Sequence, residues 1–77
     1  MGRKPIPRPS LLDTCVYLGY IYGDRRWLDP QRDLIYTWNA LHGEIEAFTR
    51  RGRHFGAYHP QTGVRIKPPV KGRRIRV

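Results

Sequence analysis

Acidic residues stop at Glu46. The 31 residues beyond it hold nine Lys or Arg and no Asp or Glu, while the first 46 hold six of each sign and cancel. The net charge of +9 therefore comes from one half of the chain. Cysteine is nearly absent too. The single Cys15 excludes an internal disulfide and reads as a small buried hydrophobe. No apolar run approaches the roughly 20 residues of a membrane span, so no membrane partner is expected. The stretch from Leu11 to Tyr22 carries Asp13 and three tyrosines and lacks a small-residue cleavage site, so it reads as a poor signal peptide. There is no Gly-rich phosphate loop and no nucleophile elbow, and the three histidines do not stand at metal-ligand spacings. Neither a metal nor a cofactor is expected. Internal repeats are absent.

What is present is positive charge and aromatic area. With 77 residues the chain makes one domain with a small core, and aromatics at 12% supply large buried areas from few positions. Such a cationic chain suits a polyanion, with nucleic acid ahead of an anionic membrane or an acidic protein.

The pattern predicts a mainly β, α+β fold: a small, highly twisted antiparallel sheet with a short N-terminal helix or arm. Residues 1–9 are Pro-rich and basic, an extended arm. Ser10 and Asp13 form a capping-box pattern that starts a short helix, and Val16 to Tyr22 is rich in strand formers. Gly23-Asp24 and Asp29-Pro30 read as turns. Leu34, Tyr36 and Trp38 alternate as one strand, and Ile45 and Phe48 belong to the next. Arg51-Gly52 reads as a hairpin turn, His54 to Tyr58 as a strand, Pro60 to Gly63 as a turn and Val64 to Ile66 as a short strand. Pro68-Pro69 ends it and leaves a basic extended tail.

Chemistry concentrates around His42-Gly43-Glu44-Ile45-Glu46. On a strand, His42, Glu44 and Glu46 share a face, with roughly 13 Å between the outer backbones at about 3.3 Å per residue. Metal-free RNA cleavage needs a base for the 2′-hydroxyl, an acid for the departing 5′-oxygen and a cation for the crowded phosphorane. A Glu, a His and an Arg can fill those roles. The competing structural reading makes Glu44 and Glu46 solvated partners of arginines and His42 a turn residue. His54 reads as a strand-surface residue and His59 as a turn residue before Pro60.

From Arg26 onward the chain resembles the cytotoxic ribonuclease domain of colicin E-three and cloacin, bacteriocins that cut small-subunit ribosomal RNA in the decoding centre. The matching stretches are Arg26-Trp27, Ile35-Tyr36-x-Trp38, His42-Gly43-Glu44-x-Glu46, Gly52-x-His54-x-Gly56, Pro60-x-Thr62-Gly63, Lys67 and Arg73-x-Ile75. The resemblance implies a division into residues 1–25, an N-terminal arm and first element, and 26–77, the ribonuclease domain. It places the family's catalytic His, Glu and Arg on His42, Glu46 and Arg73. The family's catalytic Asp falls on Asn39, which can orient an imidazole but cannot stabilise an imidazolium as a carboxylate does. Tyr36, Lys67 and Phe48 fall on substrate-site positions, Phe48 where the family has Tyr. Arg74 and Arg76 are expected to contact RNA phosphates. The implied partners are the ribosome with its small-subunit RNA and an acidic antitoxin or immunity protein. Without recognisable import segments, a cytoplasmic toxin of a toxin–antitoxin pair is expected; the cytotoxic domain of a bacteriocin or contact-dependent toxin is the variant reading. The alternatives of another class are a non-catalytic RNA- or ribosome-binding module and a DNA-binding regulator, the latter lacking a recognition helix.

Overall fold

A computed structural model describes residues 2–77. Six strands follow one another in sequence and in space: β1 (Val16–Ile21), β2 (Asp24–Asp29), β3 (Leu34–Asn39), β4 (Glu44–Thr49), β5 (His54–Tyr58) and β6 (Arg65–Lys67). Every neighbouring pair is antiparallel, so the sheet is a meander with β1 and β6 at its edges. The mainly β expectation holds. One strand escaped it. β2 follows a two-residue turn at Tyr22-Gly23, and its Asp24-Arg-Arg26 start carries the charge that hid it from a hydropathy reading. Because β1 pairs along its length with β2, the N-terminal part belongs to the same sheet as the rest.

The helical element before β1 is a 3-10 turn, Leu11–Thr14. Its capping box is complete: the Leu12 amide donates to Ser10 Oγ at 3.0 Å, and the Ser10 amide donates to Asp13 Oδ2 at 2.8 Å. The turn lays Leu12 against one face of the sheet. There Leu12, Trp27, Leu34, Tyr36, Ile45, Ala47 and Tyr58 form the core, with Ile6, Leu11, Cys15 and Trp38 packed around them. Cys15 is half-buried, and burial first, then the nearby Asp29 charge, pushes its thiol up to about 11. That keeps it an inert hydrophobe. The arm before the turn is tied down by Lys4, whose amide donates to Ala40 O at 2.7 Å and whose carbonyl accepts from the Trp38 indole at 2.9 Å.

The opposite face is closed by the end of the chain, residues 70–77, which lies across β5 as a strap. The His54 amide donates to Arg73 O at 3.0 Å, the Ile75 amide donates to Gly52 O at 2.9 Å, and Arg53 and Arg74 form an isolated bridge. Gly52 allows this approach. A Cβ there would run into the Ile75 carbonyl oxygen, and its φ of +89° disfavours any other residue. On this face Ile35, Thr37, Glu44, Glu46, Phe48 and His54 are all buried.

Candidate active site

β3 and β4 place the site. Their register pairs Thr37 with Glu46 and Asn39 with Glu44, and cross-strand partners share a face. Both carboxylates therefore project away from the core, Glu46 toward Arg73 of the strap and Glu44 toward Lys67 of β6. Each is only 6% exposed, so the reading of Glu44 and Glu46 as solvated partners is overturned.

Glu46 sits in a cage. Its Oε1 accepts from His54 Nε2 at 2.8 Å and lies 3.4 Å from the Arg73 guanidinium; its Oε2 accepts from Asn39 Nδ2 at 3.1 Å. Burial works against ionisation, but the hydrogen bonds from His54 and Asn39 and the charge of Arg73 outweigh it. The carboxyl is held below its ordinary range. Glu46 is thus an anion at neutral pH, with its lone pairs oriented.

His54 is the site residue that sequence reasoning missed. With regular alternation along β5, it would share a face with core residue Tyr58. A register shift opposite Ala47 and Phe48 turns it onto Glu46's face instead. Its side chain is buried, contrary to the expected surface position. The Val70 amide donates to His54 Nδ1 at 2.9 Å, which assigns the ring proton to Nε2, the atom facing Glu46. The ring meets Phe48 edge-on, with centroids 5.3 Å apart. The signal for it was present in the Gly52-x-His54-x-Gly56 stretch.

His42 stands apart from this cage. It lies in the β3–β4 turn rather than on the strand, half exposed, with Nδ1 3.4 Å from Glu44 Oε1. Lys67 Nζ donates to the same oxygen at 2.7 Å, while Glu44 Oε2 is buried without a hydrogen-bond partner among the described residues. Asn39 makes no hydrogen bond to the His42 imidazole among the described residues. Its Oδ1 accepts the His42 backbone amide at 3.1 Å, capping the turn, while its Nδ2 serves Glu46. Asn39 therefore joins the two groups, and its orientation of His42 acts through the backbone.

The remaining expected residues divide. Tyr36, placed at the substrate by resemblance, is wholly buried; its hydroxyl donates to Asp29 Oδ2 at 2.7 Å, and burial with that bond drives the phenol pKa upward. It has no surface with which to meet a substrate, because even-numbered β3 positions face the core. Phe48 is 2% exposed but forms part of the wall of a cleft of about 700 Å³. Thr37, Asn39, Glu46, Arg73 and Arg74 line the same cleft. His42, Glu44 and Lys67 line a separate hollow of about 600 Å³. Arg76 lies over the Tyr22 ring, outside both. Among the described residues no three His, Cys, Asp or Glu side chains gather as a metal site, and no helix is long and apolar enough to cross a membrane.

An oriented anionic carboxylate, a guanidinium beside it and a second acid/base pair on the same sheet face, all within a basic β-sheet domain, define a class of protein suited to proton transfer at a polyanion. A family model described as Cytotoxic matches residues 19–76, and the chain belongs to that family. Among curated proteins it is similar to cloacin of Escherichia coli, 38% identical over 52 residues, and to colicin E3 of the same organism, 36% identical over 53 residues. Colicin-E6 of Escherichia coli matches at 36% over 52 residues. These matches cover 66%, 68% and 66% of this chain, which spans only 9%, 10% and 9% of those proteins.

Proposed function

We propose that this protein is a toxin endoribonuclease that inactivates ribosomes by cutting small-subunit ribosomal RNA at the decoding centre, without a metal. The observation that carries the reading is the Glu46 cage: an ionised carboxylate held by His54 and Asn39 with Arg73 alongside, in the wall of a basic cleft. Family membership and the similarity to cloacin and colicin E3 support it.

In the proposed step Glu46 takes the proton of a ribose 2′-hydroxyl. The 2′-oxygen forms a bond to phosphorus, Arg73 stabilises the charge of the phosphorane, and the P–O5′ bond breaks. His42, in its protonated form, gives its proton to the departing 5′-oxygen. The products are a 2′,3′-cyclic phosphate and a 5′-hydroxyl. The substrate bridges the two neighbouring hollows, with Glu44 and Lys67 bracing the His42 side. Because the Glu46 carboxylate is a weakened base, its contribution lies in position and in an ionised state at neutral pH.

An acidic antitoxin or immunity protein is the fitting inhibitor for a chain of net charge +9, and the cytoplasm, where ribosomes are, is the place of action. The test is to incubate the purified protein with intact ribosomes in EDTA buffered with enough spermidine to keep subunits folded, and to map new RNA ends. One cut in the small-subunit RNA, leaving a cyclic phosphate, is expected. Intact RNA, or fragments ending in 3′-hydroxyls, would overturn the proposal.

A further inference from the structure

Tyr22 is an odd residue for its place. It and Gly23 form the two-residue turn between β1 and β2, with φ values of +47° and +88°. That geometry favours Asn-Gly or Asp-Gly, and a bulky residue in the left-handed region costs on the order of 1 kcal/mol or more. The ring gains no burial in return, for Tyr22 is 62% exposed. Instead it carries two guanidinium groups: that of Arg26, four residues on in β2, at 5.8 Å from its centroid, and that of Arg76, from the strap at the far end of the chain, at 5.0 Å.

A second observation points the same way. Arg26 is 4% exposed, yet its Nε has no hydrogen-bond partner among the described residues. Neither Arg26 nor Arg76 has a carboxylate within ion-pair distance among those residues. A buried, uncompensated cation is costly unless an anion arrives. The location suits one. Arg26 pairs across strands with Thr37, and Thr37, Asp24, Arg74 and Ile75 all line the cleft that holds Glu46.

We infer that Tyr22, Arg26 and Arg76 form a stacking platform for an unpaired RNA base at the mouth of the Glu46 cleft, with Tyr22 meeting the base and the two arginines its phosphates. Aromatic rings bracketed by arginines hold single-stranded nucleic acid in this way, each stacked base contributing about 1–3 kcal/mol with little sequence preference. An RNA ligand is favoured over an acidic protein because the platform adjoins the cleft proposed for catalysis. The inference deepens the ribonuclease reading and rests on it for the choice of ligand.

The test uses the full-length protein and a labelled 2′-O-methyl oligoadenylate, which lacks the nucleophilic hydroxyl and so reports binding whatever the protein cleaves. Tyr22→Asn creates the Asn-Gly turn that this geometry prefers, so the fold is retained or stabilised. Its affinity should fall roughly tenfold or more, with the salt dependence unchanged. Tyr22→Phe should bind like the parent. Arg76→Gln should lower the slope of log affinity against log salt by about one. Equal affinity for Tyr22→Asn and the parent would overturn the platform, as would an equal loss in Tyr22→Phe. Unchanged RNA affinity together with lost binding of an acidic inhibitor would assign the ring to a protein contact and overturn it as well. A platform that binds RNA in a protein that cuts no ribosome would leave this inference standing and the catalytic one refuted.

Discussion

Replacing Glu46 by Gln asks one side chain to answer for both stability and catalysis. Gln keeps one acceptor, which can face His54 Nε2. Its amide nitrogen then meets the Asn39 Nδ2 donor, and Asn39 cannot flip to accommodate it without giving up the His42 backbone amide held by its Oδ1. The change thus loses one charge-assisted hydrogen bond outright and weakens another, each of about 1.5–3 kcal/mol. The contact with Arg73, which is nearly half exposed at 46%, adds little. A net cost of about 2–4 kcal/mol results, against a total stability of roughly 4–12 kcal/mol for a chain of this length. The variant should fold, and its cleavage should fall by about 10²-fold or more. The stability gap also carries a pH signature. The folded pKa of Glu46 is depressed below 4.5, so its ionised form stabilises the fold above that pH and the benefit disappears as pH falls through the folded value. Urea unfolding of both proteins at neutral pH and near pH 3 measures the difference, in which the other carboxylates cancel. A gap as wide in acid as at neutrality would refute the electrostatic account of the cage. Ribosome cleavage within a few-fold of wild type would refute Glu46 as the base.

Asn39→Asp replaces a donor by a second carboxylate 3.1 Å from Glu46 while still capping the His42 turn. The Glu46 pKa should rise from its depressed position, moving the acid limb of the kcat/KM profile to higher pH, and an unmoved limb would show that Glu46 does not set it. Arg73→Ala should lower kcat by about 10²–10³-fold with little change in ribosome affinity. Arg74→Ala should instead weaken binding and reduce its salt slope by about one; purely binding effects from both would make the strap a simple cationic anchor.

The strands were legible where one face is apolar and the other polar, as in β3, or where strand formers run together, as in β1. β2 was not, because its first residues, Asp24-Arg-Arg26, earn their places at the cleft and under the Tyr22 ring rather than in the core. Of the candidate site, Glu46 and Arg73 were paired by the family resemblance, and the structure brings them to 3.4 Å. His42 and Glu46 were expected together on one strand, yet four residues of turn place His42 beside Glu44 instead. His54 was misread because a bulge changes which way a side chain points, and no local residue pattern announces that shift. Tyr36 was placed at the substrate by resemblance alone, whereas its alternation with Leu34 and Trp38 pointed to the core, where Asp29 satisfies its hydroxyl.

The strap gives the molecule an order of assembly in time. Each strand pairs with the one made just before it, so the meander can form progressively as the chain is synthesised. Arg73, and the Val70 amide that sets the His54 ring, come after the last strand. A growing chain can therefore complete its sheet while the Glu46 carboxylate still lacks its cation and its oriented imidazole. For a protein proposed to attack the machine that is making it, competence arrives only once that machine has moved past the strap.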